Sequence, residues 1–544
     1  MRAACAAFAI FLGLSGGAFG GSAFAMETAP VKLAIVVPIV VPSNTTGLVS
    51  ADTLALYTAP LGLLSRQLDA IIDRPVTIAI DPMIIVSIRV LGSAAPPSAT
   101  AWLERVARAT NESLALPYAN SDLTLATQAG SASVLGPERF EFAIDPALFA
   151  APTDETGTPT PAPTPTPGVV VIPKLPTSDE LVQWPYTFPN LGWPRANSVI
   201  ADDLEPLKRS FDSVILASEN VSIAAGSASV AAVGGIRAIV ADGAVSTTLA
   251  SATAAASNDS WLDALAQLTS ATERAGLGQS DSPVVVATLD PLTALGGTRL
   301  AETLSVLSST QGVVLVPLST VVTGSRVEAT LVDQPQPAAR VATMRSLLEA
   351  RDAERDFASI LEFPEVLTAP RSLEVTALSS SSWLATTTGL AVATQNFLDE
   401  SSQIVSSVQV VQSSSFNLLA DNATLPIVVS NDLDFEVTVY ITVRPRTALL
   451  AVGDSRVEVL VEPNAQAKGQ VPVTAISNGT VRAIVTLSSQ TDVAIGAPTV
   501  AKINVQAGWE TPIVVVGAGL VIAIFALGIV RTVLRRRNAE PIND

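Results

Sequence analysis

The sequence predicts an α/β, (β/α) barrel-like domain, then an antiparallel Ig-like β-sandwich, then one C-terminal transmembrane helix. Three observations predict it. Nearly continuous apolar runs alternate with helix-like stretches from Val31 to about Glu400. Short, alternating, β-branched runs replace them after about Ser413. An uncharged stretch, Ile513 to Val530, closes the chain just before four arginines.

The strand candidates of the first region are Lys32–Val41, Val76–Ile80, Leu114–Leu116, Phe140–Ile144, Ser213–Ala217, Ile236–Val240, Val284–Leu289 and Val313–Pro317. Continuous apolar runs mark parallel strands covered on both faces. Between them, "AWLERVARAT" puts Trp102, Val106 and Ala109 on one helical face. "SWLDALAQL" does so with Trp261, Leu265 and Leu268, and "RLAETLSVL" with Leu300, Leu304 and Leu307. Strand and helix in alternation, about eight times, predict a barrel-like unit over residues 28–400. The Pro/Thr-rich tract within 151–177 has little to bury and is expected to be a disordered loop of that unit.

The second region, 413–507, holds runs such as "FEVTVYITVRP" and "TVRAIVTLSS". Phe435, Val437, Val439 and Ile441 alternate in it, and turn residues such as Asn431-Asp432 and Asn478-Gly479 separate the runs. That spacing predicts a β-sandwich. Residues 512–534 have the length and composition of a transmembrane helix, and Trp509 stands where an interfacial aromatic belongs. Arg531, Arg535, Arg536 and Arg537 predict a cytoplasmic tail at 535–544 and an ectodomain outside. Residues 1–25 carry Arg2, a short apolar core and a final "AFA", which predict a signal peptide.

Composition removes whole classes of chemistry. The 544-residue chain has no histidine, and its single cysteine, Cys5, lies in the expected signal peptide. Ser-His-Asp triads, Cys-His pairs and ordinary zinc sites are therefore excluded. No S-x-x-K, P-loop or strand-linked G-x-G-x-x-G motif occurs. Residues 26–512 hold 26 basic and 47 acidic side chains, a charge near −21 that disfavours nucleic acid. The same acidity keeps an exported domain soluble. No cofactor, metal site or catalytic residue is assigned.

Carboxylates remain. Asp81 in "VTIAIDP", Asp145 in "FEFAIDP" and Asp290 in "VVVATLDP" share one pattern. An aspartate before proline suits a helix N-cap, since proline at the first helical position needs no N–H partner. These three are expected to be caps. Glu219 and Asp242 precede no proline and stay as candidate site residues. The aromatic loop "VQWPYTFPNLGWP", with Trp184, Tyr186, Phe188 and Trp193, either stacks on sugar rings or plugs the barrel mouth. Asp432 and Asp434 suit a β-turn better than a Ca²⁺ loop. The six N-x-[ST] sequons (Asn44, Asn111, Asn220, Asn258, Asn422 and Asn478) are expected by chance in a Ser/Thr-rich chain.

The order "VTIAIDP", "WLERV", "LALPYANSDL", "WPYTFPNLGWP", "VILASENV" and "GWETPIVVVGAG…RTVLRRR" resembles a family of actinobacterial exported single-pass membrane proteins of unknown function. Its members are often encoded beside a MurJ/MviN-type lipid II flippase. The resemblance implies a place near cell-wall assembly. Family members tend to carry a second acidic residue in the segment matching "PYANSDL"; here Asn120 stands nearby and only Asp122 is acidic.

The expected function is that of a non-catalytic cell-envelope protein in the cell membrane, binding an envelope glycan or a membrane protein. The flippase is such a partner by family association only. The alternative is a carboxylate-dependent glycoside hydrolase or glycan-modifying enzyme, which needs two acids flanking the scissile bond. A pure structural spacer is hard to square with so large a folded region.

Overall fold

The strand Val31–Ile39 (β1) is buried along nearly its whole length and organises everything around it. A computed structural model describes residues 29–149, 174–223, 228–277, 283–412, 415–420, 422–454, 456–506 and 510–537. The expected signal peptide, most of the Pro/Thr-rich tract, Trp509 and the last seven residues lie outside these.

The structure is mixed α/β with a C-terminal apolar helix. Further strands are Thr77–Ile80 (β2), Ser113–Ala115 (β3), Leu191–Gly192 (β4), Ser213–Ala217 (β5), Val221–Ile223 (β6) and Val230–Val233 (β7). Ile236–Ala241 (β8), Val284–Thr288 (β9), Val313–Val316 (β10) and Val327–Leu331 (β11) follow. β9 runs parallel to β1 in the register Lys32↔Val284 to Val36↔Thr288. On the other edge, β10 takes the first half of β1 and β2 the second. β3 lies parallel to β2. Phe188 bridges to Leu114 of β3, and β4 leads on to β5 and β8, all parallel. The N–H of Asp242 then donates to Val286 O of β9 at 2.8 Å. Hydrogen bonds thus link β1, β2, β3, β4, β5, β8 and β9 in a ring. β7, β11 and β6 hang from the outer edge of β8 as a partly antiparallel flap.

Apolar burial explains the ring. β1, β2 and β9 share one core with Trp102, Val106, Leu265, Leu268, Leu304 and Leu307 from the helices outside. The helix faces read from the sequence are the buried ones, although Ala109 ends its helix rather than extending it. One expected strand is absent. Phe140–Ile144 contains a 3₁₀ turn, Glu141–Ala143, and pairs with no strand among the described residues. Only Phe140 and Ile144 are buried there, four residues apart, which is turn spacing rather than strand alternation. β4, with only two residues, was too short to show a period.

Three helices, Ala338–Phe357, Glu365–Leu378 and Thr387–Ser406, connect the ring to the second region. There, Val408–Val410 (β12), Phe416–Leu418 (β13), Asn422–Asn431 (β14), Val437–Pro445 (β15) and Leu450–Val452 (β16) begin two sheets. Val457–Val461 (β17), Ala465–Ala475 (β18), Gly479–Ser488 (β19) and Ala494–Val505 (β20) complete them. The sheet orders are β12-β14-β18-β16 and β13-β20-β19-β15-β17. Leu425, Ile427 and Val429 face Val437, Val439, Ile441, Val481 and Val485 across one core. The alternation begins at Val437, for Phe435 is exposed. Phe357, Ala358, Ile360, Leu361 and Leu367 belong to this same core. The helical connection thus packs both ways, since Val375, Leu378, Trp383, Ala393 and Phe397 join Leu125, Ala126 and Ala129 of the first region. Glu510–Arg537 is one helix, long and apolar enough from Val514 to cross a membrane, with none of its span covered by the rest of the chain.

Candidate functional site

A cavity of about 290 Å³ opens at the carboxyl ends of the ring strands. Leu116 follows β3, Trp193 follows β4, Ala217 ends β5, Ala241 ends β8 and Thr288 ends β9, and all five line it. Ligands of parallel α/β sheets bind at this end because the loops and helix N-termini gather there. A second cavity of about 280 Å³ lies between the helices Leu63–Ile71 and Leu300–Ser309. Its one carboxylate, Asp69, is bonded to Arg105 at 2.6 Å, so it offers less chemistry.

The strand-end carboxylates divide by what they already hold. Asp81 Oδ1 accepts from the N–H groups of Met83 and Ala119, both at 2.9 Å. It caps the helix Pro82–Val90, as its Asp-Pro sequence predicts, and also fixes the turn at residue 119. Burial pushes its carboxyl up to about 7, against the backbone N–H groups of Met83, Ala119 and Asn120, which pull it down. Asp145 accepts from Ala147 N–H at 2.9 Å and so caps a short turn, although no strand precedes it. Asp290 Oδ1 accepts from Leu292 and Thr293, at 2.8 and 3.3 Å. It caps its helix and lines the cavity as well.

The two acids left over by the sequence separate. Asp242 caps the helix Gly243–Ala254 through Val245 N–H, 2.9 Å, and does not line the cavity. A missing proline does not stop an aspartate from capping. Glu219 does line the cavity. Its carboxylate rests on Gly243, where an added Cβ would lie 1.9 Å from Glu219 Oε1. The start of the helix Gly243–Ala254 thus faces its negative charge. Ser218 Oγ donates to it at 3.3 Å, and no cation lies within ion-pair distance of it among the described residues.

The opposite wall is built from "PYANSDL". Asp122 is fully enclosed and accepts from Arg340 (3.1 Å), Gln336 (2.7 Å) and the Thr124 hydroxyl (3.1 Å). Arg195 approaches the same oxygen at 3.4 Å and lines the cavity. Asp122 is therefore committed to holding two arginines. Ala119 and Asn120 both have left-handed backbone, φ 57° and 50°, which is unfavourable without glycine. Asp81 and Asn120 Nδ2, which donates to Ser382 Oγ at 3.1 Å, hold that turn in place. Next to it, Ser121 is buried, lines the cavity, and leaves its hydroxyl without a hydrogen bond among the described residues.

Of the four loop aromatics, only Trp193 lines this cavity. Trp184 packs under Arg89, 5.6 Å from the ring centre, and Phe188 extends the strand ring. Tyr186 is half-buried with its hydroxyl enclosed, and that desolvation raises its phenol above the usual range. All four pack half-buried against the core of the strand ring, and Trp184 also lines a separate surface cavity with Arg89 and Glu180. Asp432 and Asp434 bond Ser430 and Asn464. No group of three or more acidic side chains able to hold a metal occurs among the described residues. Asn111 and Asn220 spend their amide nitrogens on backbone carbonyls, so these two sequons are structural. Arg195, Asn197 and Ser381 also line the cavity, and sequence reasoning passed over all three. The only signal for Arg195 was its place in "GWPRAN", directly after the aromatic loop.

A profile described as a family of unknown function (DUF6049) matches residues 22–541. The chain belongs to this family. No curated protein matches it. Among solved structures, the α-amylase AmyC from Thermotoga maritima is 14% identical over 69% of this chain and 94% of its own, with a TM-score of 0.40. WR4, an MSP family member of C. elegans, is 10% identical over 19% of this chain and 99% of its own, with a TM-score of 0.15. A PapD-like domain of human CEP192 is 9% identical over 19% of this chain and 87% of its own, also with a TM-score of 0.15.

Proposed function

We propose that this DUF6049 protein is anchored in a membrane by Val514–Arg537 and binds an envelope glycan outside the cell without cleaving it. The strand ring serves as an incomplete (β/α) barrel, and the Ig-like sandwich stands between it and the bilayer. The arginines that follow the span support a cytoplasmic C-terminus.

The observation that carries the reading is the make-up of the strand-end cavity. An aromatic ring (Trp193), hydrogen-bonding side chains (Ser121, Asn197, Thr247), Arg195 and Glu219 share one wall system. Small polar and aromatic groups around a concave apolar floor suit a polyhydroxylated ring. Hydrolysis needs a pair of carboxyls free to move protons. Asp81, Asp242 and Asp290 each give an oxygen to helix amides, and Asp122 is held by arginines. Among these acids, Glu219 alone is held by neither a backbone amide nor an arginine among the described residues.

The test is co-sedimentation of the full-length protein, in detergent micelles, with purified cell-wall polysaccharide. Pelleting that Trp193→Ala weakens about tenfold supports the reading. New reducing ends that vanish in Glu219→Gln would instead establish a hydrolase.

A further inference from the structure

The charged groups of the cavity are not balanced. Glu219 and Asp290 both line it, and neither has a cation within 4.0 Å among the described residues. Arg195 is the only basic lining residue, and Asp122 already faces it from behind. Both are solvent-exposed, and two carboxylates without a cation partner present a negative field to whatever enters. The charge near −21 on residues 26–512 has the same sign and draws cations toward it. Trp193 adds a ring face, which also attracts cations.

The carboxylates are placed rather than incidental. Gly243 leaves room for Glu219 that any other residue would fill. Asp290 spends Oδ1 on two amides, which fixes the carboxylate while its second oxygen takes no part in the cap. Ser121 lies in the same cavity wall, with a buried hydroxyl that has no hydrogen bond among the described residues.

We infer that the ligand is a saccharide carrying a free ammonium group, an amino sugar that is not N-acetylated. The ammonium is held by Glu219 and Asp290, and the ring lies against Trp193. The inference rests on the glycan reading above and names the charge of its ligand. A neutral N-acetyl sugar would gain no charge pairing from either carboxylate. An acidic sugar would be repelled by them.

The test compares a glucosamine tetramer with its fully N-acetylated counterpart, by titration calorimetry on the full-length protein in detergent micelles. The expected result is a preference of about tenfold for the glucosamine tetramer, shrinking at high salt. Glu219→Gln and Asp290→Asn, which keep size and, for Asp290, the cap, are each expected to reduce that preference by weakening the glucosamine tetramer more than its acetylated counterpart. Equal affinity, or preference for the acetylated tetramer, overturns the inference and leaves the glycan reading standing. Binding of neither tetramer overturns both. Trilysine binding as tightly as the glucosamine tetramer would assign the carboxylates to a basic peptide and overturn the inference as well.

Discussion

The strand ring with its helices and the β-sandwich treat buried charge in opposite ways. The first region buries Asp81, Asp122, Asp203, Glu354 and Arg371. Among its described residues, the sandwich from Val408 to Val505 buries no charged side chain, and of polar ones only Asn431 and Ser489. A buried charge is weak evidence for stability, because desolvation opposes the pairing. Where one region collects such groups and its neighbour avoids them, the first is shaped for something besides holding together. The sandwich has the interior expected of a support.

Substitutions can break or sharpen that contrast. The largest effect is expected at Arg371, which is bonded to Glu354, Glu374 and Glu400 and lies 3.8 Å over the Phe397 ring. Arg371→Ala strands carboxylates in a buried site and is expected to remove about 5 kcal/mol, read by urea unfolding. If the loss is under ~1 kcal/mol, the cluster is not the keystone its geometry suggests.

Next comes pH. The Asp81 carboxyl moves from 3.8 to about 7 on folding, and burial also lifts Glu374 to about 7. The folded state then holds more protons than the unfolded one between these values. Stability from Asp81 is fully present below pH 3.8 and is lost as pH rises to about 7. The drop amounts to about 4 kcal/mol. Asp81→Asn should remove that share of the slope, while peptides of the sandwich, followed by hydrogen exchange, stay flat across the window. A sandwich with the same slope would erase the contrast.

In the sandwich, Leu425→Ala opens a cavity among apolar side chains and is expected to remove about 3 kcal/mol, with no change in pH dependence or in saccharide binding. The smallest effect belongs to Asp145→Ala. Its cap serves a short exposed turn, so a loss of about 0.5–1 kcal/mol in thermal unfolding is expected.

How legible all this was depended on how local the cause was. Continuous runs against alternating ones separated the two regions, because burial on two faces or on one sets the pattern directly. The Asp-Pro caps were legible for the same reason, since cap and helix are adjacent in the chain. Asp242 was misjudged because capping was tied too closely to proline. Phe140–Ile144 misled because an apolar run cannot show whether it has a strand to pair with. The cavity was hardest. Asn120 meets Ser382 across 262 positions, and Asp122 meets Arg340 across 218. No local spacing encodes such meetings, so Ser121, Arg195 and Ser381 became visible only with the chain folded.

The sharing of one core by residues Phe357 to Leu367 and the sandwich has a mechanical consequence. Helix ends and β-strands interlock there, so the sandwich cannot swing as a bead on a string. A tug on anything held at the cavity passes through the helices into the sheets and reaches Val505, four residues short of the apolar helix. On the reading proposed above, the sandwich then works as a stiff extension of the unit that holds the ligand, and a load on that ligand is shared among its strands.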